Sequence, residues 1–139
     1  MNHRVMKLLV VATCAVLFAG MISRQAGTPG QVNEVTFSKD DQKTTIDCNR
    51  SAVIITGDDN KIIAKGECTK LTISGDDNEI TADTVNEVVI SGDDNKIALD
   101  TVAKISVSGD DNKIHWKRGA GDSRPQVSDT GDDNAIKQD

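Results

Sequence analysis

The chain has 139 residues, a single-domain length, with 16 Lys and Arg against 22 Asp and Glu and a net charge of −6. This acidic balance excludes nucleic acid as the expected partner, because phosphate binding needs a basic surface, and it disfavours an anionic membrane surface. Aromatic residues make up only 2% of the chain. Small aliphatic residues must therefore build the core, used repetitively.

The first 24 residues have the pattern of an export signal. Arg4 and Lys7 form a positive start, and 8–22 is an unbroken run of apolar or small residues. Such a run suits a signal peptide and is shorter than the roughly 20 residues that span a bilayer as a helix. We therefore predict a signal peptide over 1–24 and a flexible linker over 25–34.

The signal segment has two alternative interpretations. Leu17-Phe18-Ala19 is a tolerable cleavage site without a clean Ala-x-Ala, so an uncleaved short anchor stays open, as does a lipoprotein signal at Cys14. Cleavage would leave 13 Lys and Arg against 22 Asp and Glu, a net charge near −9. We expect a periplasmic, envelope or secreted location, with membrane contact only through an uncleaved anchor. Expected partners are then cations, basic surfaces or neutral polymers.

A repeated tetrapeptide, Gly-Asp-Asp-Asn, dominates the rest of the chain. Its copies begin at Gly57, Gly75, Gly92, Gly109 and Gly131, with spacings of 18, 17, 17 and 22 residues. With each Gly as position zero, apolar residues recur at −4, −2, +5 and +7, separated by polar ones. They are Val53, Leu71, Val88, Ile105 and Val127 at −4; Ile55, Ile73, Ile90 and Val107 at −2; Ile62, Ile80, Ile97, Ile114 and Ile136 at +5; and Ala64, Ala82, Leu99 and Trp116 at +7. This alternation predicts half-buried strands on both sides of each turn.

The repeats at both ends are irregular. A degenerate sixth copy lies 18 residues ahead of the first, with Val35 and Phe37 in apolar positions and Lys39 in place of Gly. At the other end 117–125 delays the last copy, and Asp129 interrupts the −2 series. Atypical terminal repeats are expected where a stack meets solvent. We predict a β-repeat domain over 35–139 with both ends as caps.

Two all-β architectures fit the spacing. One is a β-solenoid of about five to six coils of 17–18 residues, and the other is an antiparallel hairpin meander or barrel. The solenoid is favoured because Asn at +3 is identical in every copy, and stacking would let each side chain bond to the next turn. This predicted ladder comprises Asn60, Asn78, Asn95, Asn112 and Asn134. We interpret the turn glycines as residues of positive φ.

Cys48 and Cys68 are the even pair that remains outside the signal. Cys68 takes the place that Val85 and Val102 hold in the following repeats, an inward position, and Cys48 lies in the repeat before it. We predict a disulfide between adjacent coils, which would contribute roughly 3 kcal/mol by closing a loop of about 20 residues. Two buried free thiols are the alternative.

The chain resembles the bacterial domain-of-unknown-function 3060 family. The likeness rests on 45–48, the Gly-Asp-Asp-Asn-Lys-Ile repeats, 66–68 and the closing 125–131, in that order. It implies a secreted or envelope-associated protein with Gly-x-x-Asn β repeats, and it transfers no catalytic residue. The Asp-Asp filling of the turn departs from the uncharged residues expected of relatives.

Catalytic residue types are scarce. His115 is the only histidine outside the signal, at an outward position, and the carboxylate pairs recur in every repeat, whereas an active site is asymmetric. We expect no enzyme. The outward positions −3 and −1 carry small hydroxyl and β-branched residues, a pattern that can bind ice or a regular glycan but is too mixed to favour ice.

We predict an exported non-catalytic structural or interaction module with a protein or glycan partner. The alternative is a calcium-binding protein, since calcium prefers many oxygen ligands in flexible geometry. Its ligands would be the stacked turn aspartates. These are Asp58, Asp59, Asp76, Asp77, Asp93, Asp94, Asp110, Asp111, Asp132 and Asp133.

Overall fold

The computed structural model describes residues 33–139. The predicted signal segment, Cys14 and most of the predicted linker lie outside the described residues. Nine strands and one short 3₁₀ turn make up the fold. They are β1 (Glu34–Phe37), β2 (Lys43–Asp47), β3 (Ala52–Ile55), β4 (Lys61–Ile73), β5 (Glu79–Ile90), β6 (Lys96–Val107), β7 (Lys113–Gly119), the 3₁₀ turn Ala120–Asp122, β8 (Gln126–Asp129) and β9 (Ala135–Gln138).

Every strand pair is parallel. Partners lie 18 residues apart in the first pairs, 17 in the central ones and 22 in the last, as in Val53↔Leu71, Ile80↔Ile97 and Ile114↔Ile136. Hairpins would pair neighbouring segments in antiparallel fashion. The predicted β-solenoid is therefore confirmed, and the hairpin alternative is not favoured.

The chain winds through six coils. Coil 1 covers 34–47, coil 2 covers 52–64, coil 3 covers 70–82, coil 4 covers 87–99, coil 5 covers 104–116 and coil 6 covers 126–138. Each coil contributes one strand segment before the tetrapeptide to face 1 and one segment after it to face 2. The tetrapeptides form the turn edge. The opposite side, where 48–51, 65–69, 83–86, 100–103 and 117–125 lead into the next coil, is the bend edge.

The core is a set of stacked aliphatic columns between the two faces. All the residues predicted at −4, −2, +5 and +7 in coils 2 to 5 are buried, including Ile62, Ile97 and Trp116. At the bend edge the buried residues step by three, from Ala82 to Val85 to Val88, which breaks the alternation where the backbone bends. Full burial of each large aliphatic side chain contributes about 1.5–3 kcal/mol, so the repeated columns replace the missing aromatic core.

The two end coils bury their core positions less completely than the interior coils. Phe37 and Ile46 in coil 1 and Ile136 in coil 6 are only partly buried. β1 begins at Glu34, the last residue of the predicted linker. Glu34 already pairs with Ala52, and the Ala52 N–H donates to the Asn33 carbonyl at 2.7 Å. The five extra residues before coil 6 lie in the bend edge, so β8 still pairs with β6 in register.

In residues 33–139 there is no helix with the length and apolar character that crossing a membrane requires.

Candidate functional site

The turn edge has a backbone conformation that differs from the prediction. The second aspartate of each turn, not the glycine, has positive φ, between 54° and 57°. These residues are Asp41, Asp59, Asp77, Asp94, Asp111 and Asp133. The interpretation of the turn glycines as positive-φ residues is therefore wrong. Aspartate tolerates the left-handed region better than most residues because its short side chain hydrogen-bonds locally.

The turn glycines are required by close packing between coils instead. A Cβ built on Gly92 would overlap the carbonyl oxygen of Gly75, and one on Gly109 would overlap that of Gly92. The same holds at Gly57, where the overlap is with the Lys39 carbonyl. Each glycine lets the turn backbone approach that of the preceding coil.

The first aspartate of each turn accepts a hydrogen bond from the following coil. Asp76 N–H donates to Asp58 Oδ1 at 2.9 Å, and Asp110 N–H donates to Asp93 Oδ1 at 2.8 Å. The pattern runs from Asp40 in coil 1 to Asp132 in coil 6. These carboxylates therefore have a structural role as acceptors for backbone N–H groups.

The asparagines form a buried ladder in the opposite direction. Asn60 N–H donates to Asn78 Oδ1 at 2.9 Å, and the same bond joins each later pair to Asn134. In the central coils Nδ2 of Asn95 also donates to the Gly75 carbonyl at 3.0 Å and to Asn112 Oδ1 at 3.1 Å. Asn60, Asn78, Asn95 and Asn112 are at most 1% exposed. In all five copies the asparagine Oδ1 accepts a backbone N–H from the preceding coil, which explains why position +3 is always the same residue, while Nδ2 of Asn60 has no partner among the described residues.

The ten turn aspartates line one exposed edge without converging. In the described part of the chain no group of three or more Asp, Glu, His or Cys is close enough to hold a metal ion. One oxygen of each first aspartate in coils 1 to 5 is already a hydrogen-bond acceptor, as in Asp76 with the Asp93 N–H at 2.8 Å. Calcium takes six to eight oxygen ligands around one point. The described turn aspartates are not grouped around one point in this way.

The bend edge holds the two cysteines. Cys48 and Cys68 are fully buried and lie at disulfide distance, with their Cα atoms 5.0 Å apart. Cys68 pairs with Val85 in the inward column. The extra residue of this repeat forms a bulge at Gly66, where φ is 77°. The pair joins coils 1 and 2, as the register predicts.

The outer surface of face 1 is uncharged along two columns. Position −1 carries a hydroxyl in all six coils: Ser38, Thr56, Ser74, Ser91, Ser108 and Thr130. Position −3 carries Thr36, Ile54, Thr72, Val89, Ser106 and Ser128. Several hydroxyls donate to a carbonyl of the preceding coil, as Ser108 Oγ does to Ile90 O at 3.2 Å.

The third outer column of face 1, at position −5, contains charges of both signs that form ion pairs with one another. Glu87 lies 3.3 Å from the Lys70 ammonium and 2.9 Å from that of Lys104. The hydrogen bonds from Lys104 and Lys70 lower the pKa of the Glu87 carboxyl below its ordinary value of 4.5. The outer side chains of face 1 are therefore close to neutral in total charge, on a chain that is acidic overall.

Face 2 carries charges in its outer columns. Lys61 and Glu79 form an ion pair at 2.7 Å, and Asp100 and Lys117, where face 2 meets the bend edge, form one at 2.6 Å. The Lys61 hydrogen bond lowers the pKa of Glu79, and the bond between Asp100 and Lys117 lowers the pKa of the acid and raises that of the amine. These groups are exposed, so the pairs contribute little to stability.

His115 lies on the outer surface of face 2, as predicted, and has a partner that the sequence reasoning missed. Its Nδ1 is 2.8 Å from Asp139 Oδ1. The coil register contains the signal that could have found this pair, since Asp139 lies two positions beyond Lys137, the residue that stacks on His115.

Comparison with known proteins gives one match. No curated protein and no solved structure matches the chain significantly. The model of the family described as "Protein of unknown function (DUF3060)" matches residues 55–98 and 86–133. Together these matches cover more than half of the chain, including four of its five tetrapeptides in full and the first three residues of the fifth. The chain belongs to the DUF3060 family.

Proposed function

We propose that this chain is an exported, non-catalytic interaction module that docks a neutral glycan on face 1. The observation that carries this proposal is the absence of charge from positions −3 and −1 in all six coils described, on a chain whose net charge is −6. Hydroxyl groups at the coil spacing of about 4.8 Å offer a regular row of hydrogen-bond partners to an extended polymer.

The chemistry of face 1 favours a glycan over a protein partner. Protein interfaces concentrate their binding energy in Trp, Tyr and Arg residues that fill pockets. The −3 and −1 columns contain none of these types. A flat row of hydroxyl groups suits instead a ligand that is itself flat and rich in hydroxyl groups.

Export is supported by the N-terminal pattern and by the buried cysteine pair. Disulfides form and persist in oxidising compartments. Expression of the full chain and of a chain lacking 1–24 in a bacterium, followed by fractionation and thiol alkylation, tests this part. The full chain should leave the cytoplasm with Cys48 and Cys68 protected from alkylation. A full chain that stays in the cytoplasm with two reactive thiols would contradict export.

Docking is tested by co-sedimentation with peptidoglycan sacculi and with an insoluble neutral polysaccharide. The variant Ser74→Glu/Ser91→Glu places two charges on face 1, and Thr81→Glu/Ala98→Glu places the same two charges in the same coils on face 2. Both pairs are exposed. We expect the face 1 variant to lose at least tenfold in binding while the face 2 variant binds like the parent. Equal binding by both variants, or no sedimentation of the parent, would refute docking on face 1.

A further inference from the structure

Coil 6 differs from the other coils in what it contributes to the core columns. The −2 column runs Phe37, Ile55, Ile73, Ile90 and Val107 and then turns to Asp129. The +7 column runs Ile46, Ala64, Ala82, Leu99 and Trp116 and then turns to Gln138. The other two core positions of this coil are apolar and hold Val127, which is 49% exposed, and Ile136. Polar residues thus occupy two of the four core positions in coil 6, one in coil 1 (Thr44) and none in coils 2 to 5.

The two ends of the stack have complementary hydrogen-bonding groups. Asp132 N–H donates back to Asp110 Oδ1 at 2.8 Å, and Asn112 N–H donates forward to Asn134 Oδ1 at 2.9 Å. By the same pattern, Asp132 Oδ1 and the Asn134 N–H are the groups that would bond to a following coil. At the other end the Asp40 N–H and the Gln42 side chain are those that would bond to a preceding one. Coil 1 of a second copy therefore has the groups to continue the ladder on coil 6.

Asp129 obstructs that addition. Its Oδ1 accepts bonds from Gly131 N–H at 3.2 Å and from Asn134 Nδ2 at 2.9 Å. These bonds hold the carboxylate in the column where Phe37 of an added copy would stack. Removing an ionised carboxylate from water against a phenyl ring is strongly unfavourable.

Gln138 has the same effect in the other polar column. Its Nε2 donates to the Lys117 carbonyl at 3.1 Å, which fixes the amide in the +7 column. Ile46 of an added copy would lie over it. The end of coil 6 thus offers the hydrogen bonds for another coil but replaces apolar contact with polar groups in two of the four core columns.

We propose that Asp129 and Gln138 form a stop that prevents a second copy of this chain from adding head-to-tail to coil 6. Exposed strand edges are templates for association, and polar terminal repeats keep stacked proteins soluble. This inference concerns self-association and is independent of the glycan proposal.

The main test is Asp129→Val/Gln138→Leu in the full chain, which continues the aliphatic columns of Val107 and Leu99. Size-exclusion chromatography with light scattering should give one chain for the parent at every concentration. The double variant should give the mass of two or more chains, increasing with concentration. Asp94→Asn is the charge-matched control, since it removes one carboxylate from an interior turn, and it should stay monomeric.

Two further variants identify the surfaces involved. Asp129→Asn keeps the acceptor for the Gly131 N–H but removes the charge, so it should associate more weakly than the double variant while remaining folded. Adding Phe37→Glu to the double variant should restore the monomer, because it places a charge on the opposite end. Circular dichroism verifies the fold of each protein.

Any of four results would overturn the proposal. These are an oligomeric parent, a folded double variant that stays monomeric, oligomers of Asp94→Asn, and oligomers that persist after Phe37→Glu. If the double variant does not fold, the test rests on Asp129→Asn. An Asp129→Asn protein that stays monomeric at the highest concentration would then refute the stop.

Discussion

The turn edge and the bend edge of the solenoid perform the same task with different degrees of sequence freedom. Each reverses the chain between faces once per coil, yet the turn edge repeats one tetrapeptide, whereas the bend edge contains a cysteine pair, a bulge at Gly66 and the insertion 117–125. At the turn edge all four positions contact the neighbouring coil through polar or backbone atoms, since the second aspartate also donates its N–H, as Asp59 does to the Asp76 carbonyl at 3.1 Å. The bend edge shares one inward residue per coil, such as Val85 or Val102, and its side-chain bond from Gly66 N–H to Asp83 Oδ2 at 2.9 Å does not recur in the other described coils. Directional contacts between coils restrict residue type, and apolar packing restricts little beyond size.

The strongest test of this contrast compares two glycines. Gly92→Ala at the turn edge should lower the free energy of unfolding by about 3–5 kcal/mol, because the new methyl group displaces the Gly75 carbonyl, which also accepts from Asn95. Gly66→Ala at the bend edge has open space around it and should cost about 1–2 kcal/mol through its positive φ alone. Urea denaturation measures both. Equal losses would show that close packing against the Gly75 carbonyl does not determine the need for glycine at this turn position.

The covalent link at the bend edge should give the next largest effect. Cys48→Ala/Cys68→Val, with Val chosen to match Val85, should lower stability by about 3 kcal/mol because the unfolded chain loses a closed loop. Amide hydrogen exchange should increase most in β1 and β2 and least in β7. Uniform exchange along the stack would contradict a local role for the pair.

The buried asparagine ladder comes third. Asn95→Ala leaves the Asn78 N–H and the Gly75 carbonyl without their partners and should cost about 2–3 kcal/mol. Thr101→Ala in the bend that follows the same coil is the control, and its effect should stay within about 0.5 kcal/mol. Thermal unfolding compares the two. A loss at Thr101 as large as that at Asn95 would remove the distinction between the edges.

The two aspartates of one turn should respond differently. Asp93→Ala removes the acceptor of the Asp110 N–H and should destabilise by about 1–2 kcal/mol. Asp94→Asn keeps a residue that tolerates positive φ and should change stability by less than about 0.5 kcal/mol. If Asp94→Asn proves the more damaging of the two, the ladder assignment is incorrect.

Calcium is expected to have the smallest effect. Since the described turn aspartates do not converge, the melting temperature in millimolar calcium should equal that in sodium chloride of matched ionic strength. A ligand selective for the folded state would raise it. A rise of several degrees specific to calcium would restore the calcium-binding alternative and would show that the turn edge gathers ligands in a way the fold does not display.

The register of the solenoid could be predicted because it depends on residue classes at fixed spacing. Ile97 pairs with Ile80 and with Ile114, as the +5 series implies. A one-residue shift would turn every such side chain to the opposite face, so a single alignment of the repeats determines the whole core.

The roles within the turn could not be assigned in the same way. Glycine suits both a positive φ and a close backbone approach, so its presence at Gly92 does not distinguish the two. The distinction depends on the Gly75 carbonyl, which belongs to another coil. Positive φ at Asp94 was accessible from residue type, since aspartate is enriched there, but the glycine was the more obvious candidate. Face 1 and the His115–Asp139 pair likewise emerge only when neighbouring coils are compared side by side.

Coils 3 to 5 repeat every 17 residues, so the length of the solenoid can change in steps of one whole coil. Coils 4 and 5 present the same groups to their neighbours, from the first aspartate to the buried asparagine. An added copy of this 17-residue segment would therefore form the same hydrogen bonds with the coils on both sides, and it would lengthen the molecule by about 4.8 Å. In-frame duplication or deletion of one period is thus a route by which descendants of this gene can change the reach of the molecule while its two ends stay the same.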